Sequence, residues 1–157
     1  MDKTVFILYR GDDDQQTPIA AFSELEVIET LIAKLNRFIE GGADLKTIPL
    51  QHCKLEVDKY ADLVKSGKTP YYISLHRDGG LFDPWDLLSD NLDEPTPESY
   101  FDHIIAMRDA ETINPDKQWG VGGTFWVDDP KQAIKKANDL RKVLFKKFKV
   151  PLTRDRH

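Results

Sequence analysis

A chain of 157 residues that is 40% hydrophobic and 31% charged has the size and composition of a globular body able to bury its own core. Its single cysteine, Cys53, excludes an internal disulfide and a cysteine-rich zinc site, and no apolar run approaches the roughly 18 residues of a membrane span. The net charge of −5 conceals a split: residues 1–130 hold 12 Lys/Arg against 25 Asp/Glu, a balance of −13, whereas residues 131–157 hold 10 against 2, a balance of +8.

In chain order, the β-branched and aromatic run 3–9 (KTVFILY) predicts a strand, ended by the turn chemistry of RGDDDQQTP, and 18–22 (PIAAF) predicts its hairpin partner. Ser23 with Glu26 three residues on has the form of a capping box. The helix it predicts carries Leu25, Val27, Ile28, Leu31, Ile32, Leu35, Phe38 and Ile39 on one arc and ends at Gly41-Gly42. Moderate alternation predicts a strand over 51–58 (QHCKLEVD), followed by one or two helical turns in KYADLVKSG.

Residues 70–77 (PYYISLHR) predict the next strand, with Asp78-Gly79-Gly80 turning the chain. From 78 to 97 prolines, glycines and acid–apolar pairs argue against regular structure. Thr96 and Pro97 open a helix to about Arg108. The run 119–127 (WGVGGTFWV) predicts a strand whose glycines mark a bulge or a close backbone approach. The final helix has the clearest start signal: Asp129 as cap, Pro130 at its first position and Gln132 completing the box. Ala133, Ile134, Ala137, Leu140, Leu144 and Phe148 form its apolar arc, and Pro151 is placed to stop it.

These elements predict a single α+β domain over 1–151 with a short tail at 152–157. Its architecture is an antiparallel or mixed sheet of about five strands, with two long amphipathic helices on one face and a third, shorter helix. A ββα-type quasi-repeat, 1–60 and 70–150 with an insertion at 78–118, is compatible with the same rhythm.

Several motifs invite chemical readings. His76-Arg77-Asp78 spells the opening of a protein-kinase catalytic loop, but position 83 is Asp83 where that loop needs Asn, and the glycine-rich WGVGGTF follows it instead of preceding it. Nor does WGVGGTF fit a dinucleotide or phosphate-loop spacing. A turn explains the first motif and a close approach the second. His76, Asp78, Asp83 and Asp86, with His103, offer groups for acid–base work or a divalent cation, although their spacing matches no metal signature. Asp12, Asp13 and Asp14 lack the glycine and distal glutamate of a calcium loop and read as a solvated hairpin tip.

Two features carry more weight. Lys131, Lys135, Lys142, Lys146 and Lys149 fall within an arc of about 60° on the final helix, spanning about 27 Å, suited to an acidic protein face or a phosphate backbone. The segment GLFDPWDLLSDNLDEP puts apolar Phe82 and Trp85 among Asp83, Asp86 and Asp90, a setting that suits a basic protein partner. No nucleophile, base and orienting group come together, so no catalytic residue, metal or cofactor is assigned. The sequence therefore favours a cytoplasmic, non-enzymatic accessory protein of the immunity or inhibitor type, acting on a basic protein through the acidic segment. Nucleic-acid or phosphate binding through the lysines, and a small hydrolase or metal enzyme built on His76, are the alternatives.

Overall fold

The computed structural model describes residues 3–11, 15–35, 43–83, 91–100 and 121–149. The side chains of Phe82 and Asp83 lie outside that description. The chain is α+β and divides into two compact units: residues 3–70 with 91–92, and residues 71–83 with 93–100 and 121–149. Each carries a three-stranded sheet in place of the expected single sheet of about five strands.

In the first unit β1 (Thr4–Arg10) lies between β2 (Thr17–Phe22) and β3 (Ala43–Pro49). Both pairings are antiparallel, with Leu8 opposite Ala20 and Leu45. The β1–β2 register slips after Leu8, so Tyr9 faces Pro18, which lets a residue without an N–H sit at the distorted end of the ladder. Alternation sends Val5, Ile7 and Ala21 to one face, where Ile48, Cys53, Leu55 and Val57 cover them. The first helix, α1 (Leu25–Leu35), buries Val27, Ile28, Leu31 and Leu35 and packs against all three strands, while Leu25 stays exposed.

Two local expectations fail here. Ser23 does not cap α1: its N–H donates to Asp58 Oδ1 (2.8 Å) and its hydroxyl to Asp58 Oδ2. Asp58 itself adopts φ +63 and donates its N–H to the Ala21 carbonyl (2.9 Å), so Ser23 serves a long-range tie in place of a local one. The strand expected at 51–58 lies earlier, at Ala43–Pro49. Residues 50–52 form a 3₁₀ turn, and of the following segment only Val57 bridges to the β2 residue Ala21. Side-chain alternation over QHCKLEVD came from the segment covering the sheet, not from pairing in it. One helical turn, α2 (Ala61–Lys65), follows as expected, and Lys34 Nζ donates to the carbonyls of Gly67 (2.7 Å) and Lys68 (2.9 Å) just beyond its end.

The second unit orders its strands β5 (Leu81–Asp83), β4 (Thr69–Leu75), β6 (Val121–Val127). β4 and β5 pair antiparallel across His76–Gly80. In that turn His76 N–H donates to Gly80 O (2.7 Å), Gly79 N–H to His76 O (3.0 Å), and Gly80 N–H to Asp78 Oδ1 (2.9 Å), with Gly79 at φ +92. The helix expected from Thr96 begins as a 3₁₀ turn, Glu98–Tyr100; its remainder to Arg108 lies outside the described residues.

The last helix, α3 (Pro130–Lys147), starts as its sequence dictates. Asp129 Oδ1 accepts from Gln132 N (3.0 Å) and Oδ2 from Gln132 Nε2 (3.0 Å). Ala133 and Ala137 pack on Ile73, Leu75, Phe125 and Val127, and Leu144 and Phe145 on Val121 and Tyr100. The helix gives way at Phe148, and Lys149 takes φ +54. Lys149 is therefore not placed by helical periodicity with the other lysines.

Candidate functional site

The solvent side of α3 is set by the packing of its other face. Burial of Ala133, Ala137, Leu144 and Phe145 fixes the rotation of the helix and turns Lys131, Lys135, Lys142 and Lys146 outward, all four exposed. None of the four has a carboxylate within ion-pair distance among the described residues. Lys149 is exposed beyond the helix end.

The flank of the same helix is neutralised. Residues 93–100 run past it as a strap: Lys136 Nζ is 2.9 Å from Glu94 Oε1, and Lys147 Nζ is 3.0 Å from Glu98 Oε1. Glu94 Oε1 also accepts the N–H of Trp126 (2.8 Å), so one carboxylate ties β6 to α3. Pro95 packs so close to β6 that a Cβ at Gly123 would lie 2.5 Å from its Cγ, which is the close approach the glycine pair signals. The Lys147 ammonium holds the Glu98 carboxyl below the usual carboxylate range. Tyr100, ending the strap, is buried, and that burial pushes its hydroxyl well above the usual phenol value, with Tyr72 adding to the rise.

Asp139 and Val143 border the lysine arc, about 20° and 60° round from Lys146 at helical spacing. Val143 is 51% exposed, the most exposed of the large hydrophobic residues described. On the other side, Arg141 is only 7% exposed and points inward, donating Nε to Asn138 Oδ1 (3.1 Å) and Nη1 to Arg77 O (2.8 Å). Arg141 thus belongs to the packing of the His76–Gly80 turn and not to the exposed lysine arc.

Of the acid–base candidates His76, Asp78, Asp83, Asp86 and His103, only His76 and Asp78 have described side chains. The Asp78 carboxylate serves the turn, His76 is half-buried at the end of β4, and Asp86 and His103 lie outside the described residues. Among the described residues, no group of three or more His, Cys, Asp and Glu side chains could hold a metal ion. Of the acidic-segment residues, Phe82 and Asp83 lie in β5, while Trp85, Asp86 and Asp90 lie outside the described residues. Leu92 is buried. No described helix is long and apolar enough to cross a membrane.

The chain matches no protein-family model, no curated protein and no solved structure. The geometry of its own residues is what bears on function.

Sequence reasoning missed Glu94, Glu98 and Val143. Val143 was legible as an apolar residue inside a polar arc. The Glu–Lys pairs were not, because their partners are 42 and 49 residues apart and only the docking of the strap brings them together.

Proposed function

We propose that this chain is a non-enzymatic binding protein that engages an anionic macromolecule through the exposed lysine face of α3. The single observation behind this reading is the contrast along one helix: Lys136 and Lys147 are paired with Glu94 and Glu98, whereas Lys131, Lys135, Lys142 and Lys146 carry no anionic partner among the described residues. Four ammonium groups on one arc over about 22 Å concentrate positive potential, and such a surface steers association that weakens with salt. Fluorescence anisotropy with labelled polyglutamate and a labelled single-stranded oligonucleotide tests it. Binding at low ionic strength that weakens steeply with salt and is lost in Lys135→Glu/Lys142→Glu/Lys146→Glu supports the reading; identical curves for wild type and triple variant rule it out.

A second reading rests on the opposite pole. Residues 78–100 carry seven Asp/Glu and no Lys/Arg, and Leu81 stands 39% exposed where that segment enters β5. Acidic and apolar groups together suit a basic protein partner, in an accessory or inhibitor role. Asp83→Lys with Asp86→Lys, leaving affinity for a basic probe such as polylysine and its salt dependence unchanged, would count against it.

A further inference from the structure

We propose that the occupant of the lysine face is an acidic polypeptide segment with an apolar side chain that seats on Val143, and not a nucleic acid. This rests on the lysine-face reading and goes one step further, to the chemistry of the partner.

Three observations converge. First, the chain already solves the same problem on the adjoining flank of α3. The strap 93–100 is an acidic segment lying against that helix, with Glu94 on Lys136 and Glu98 on Lys147. Carboxylates four residues apart there reach lysines eleven residues apart, so acidic polypeptide fits the lysine spacing of this helix. Second, Val143 lies between the strap's lysines and the unpaired ones, 51% exposed. A phosphodiester backbone offers nothing to bury it, whereas a peptide carrying one aliphatic or aromatic residue between its carboxylates covers it. Third, Asp139 is exposed within the same face, one turn from both Lys135 and Val143. A carboxylate there repels a continuous row of phosphates but accepts an amide or a basic group of a polypeptide.

The face therefore combines an electrostatic rim with an apolar point of contact, the composition by which protein surfaces recognise one another. The strap supplies the geometric precedent, and the occupant would lie beside it on the helix.

The test is a matched set of labelled probes titrated with the full chain: a polyglutamate peptide, a peptide with the same number of glutamates and leucine interspersed among them, and a single-stranded oligonucleotide of equal charge. The leucine-bearing peptide is expected to bind about tenfold more tightly than polyglutamate, as burial of one aliphatic contact implies. Val143→Ser removes that margin while leaving polyglutamate affinity unchanged, and Lys142→Glu/Lys146→Glu abolishes binding of both. If the oligonucleotide binds most tightly and is lost in the lysine variant, the inference falls while the lysine-face reading stands. Equal affinity for both peptides also overturns the inference. If no probe binds at low ionic strength, the lysine-face reading falls with it.

Discussion

Arg141 donates from Nη1 to the main-chain oxygen of Arg77 across 2.8 Å, which anchors the tight turn between β4 and β5 on the last helix. The guanidinium is buried, shares Asn138 Oδ1 through Nε and lies near the Phe145 ring, 5.9 Å from its centre. Gly79 is part of this contact: a Cβ there would come within 2.7 Å of Asn138 Oδ1 and 2.9 Å of Arg141 Nη2, at a φ of +92 that disfavours any side chain. His76-Arg77-Asp78 is thus the start of a clamped turn.

Gly79→Ala is expected to destabilise the protein by about 1–3 kcal/mol, from backbone strain and the collision together. Arg141→Met should cost about as much, by leaving the Arg77 carbonyl and Asn138 without their donor. Urea denaturation followed by tryptophan fluorescence measures both. A change within about 0.5 kcal/mol in either variant, the scatter of neutral surface substitutions, would mean that the clamp contributes little.

Glu94 and Glu98 differ in what they hold. Glu94→Ala removes the acceptor of the Trp126 N–H and should cost about 1–3 kcal/mol, with Glu94→Gln recovering part of it through its amide oxygen. Glu98→Ala removes an exposed pair with Lys147, screened by solvent, and should cost clearly less than Glu94→Ala. Equal losses in the two alanine variants would contradict this division.

The Glu98 carboxyl also gives a pH signature. Lys147 holds it below its ordinary value of 4.5, so the charged form is favoured in the folded state. Its contribution is therefore complete above that value and is lost as pH falls through the lower folded-state value. Glu98→Gln should narrow the stability difference between neutral and strongly acid solution. An unchanged difference would show that the pair does not persist.

Tyr100 acts at the other end of the scale. Its burial raises the hydroxyl above the ordinary 10.0, so the folded state keeps a proton that the unfolded chain releases. The resulting stability is present below about pH 10 and declines as pH rises above it. Absorbance at the tyrosinate band should show at least one tyrosine titrating only with unfolding, and Tyr100→Phe should remove that phase.

The last helix was the most legible element because its signals are local. Asp129, Pro130 and Gln132 act within one turn, and the arc from Ala133 to Leu144 follows from periodicity alone. Ser23 shows the limit of the same logic: the motif for a cap was present, but Asp58, 35 residues away, took the Ser23 N–H and hydroxyl. Alternation in 51–58 misled for a related reason, since a segment lying over a sheet buries alternate residues as a strand does, and β3 with its mixed polar sequence went unread. On the lysine face, the positions were legible from helical spacing. Which lysines are paired was not, because that depends on where the strap lies.

The most direct measurement is NMR of the lysine side chains, carrying isotope-labelled methyl groups, while an acidic leucine-bearing peptide is added. A binding face on α3 predicts that Lys135, Lys142 and Lys146 shift first and together, with Lys46 and Lys54 of the other unit unchanged. Shifts spread evenly over all lysines, or confined to lysines outside α3, would contradict it.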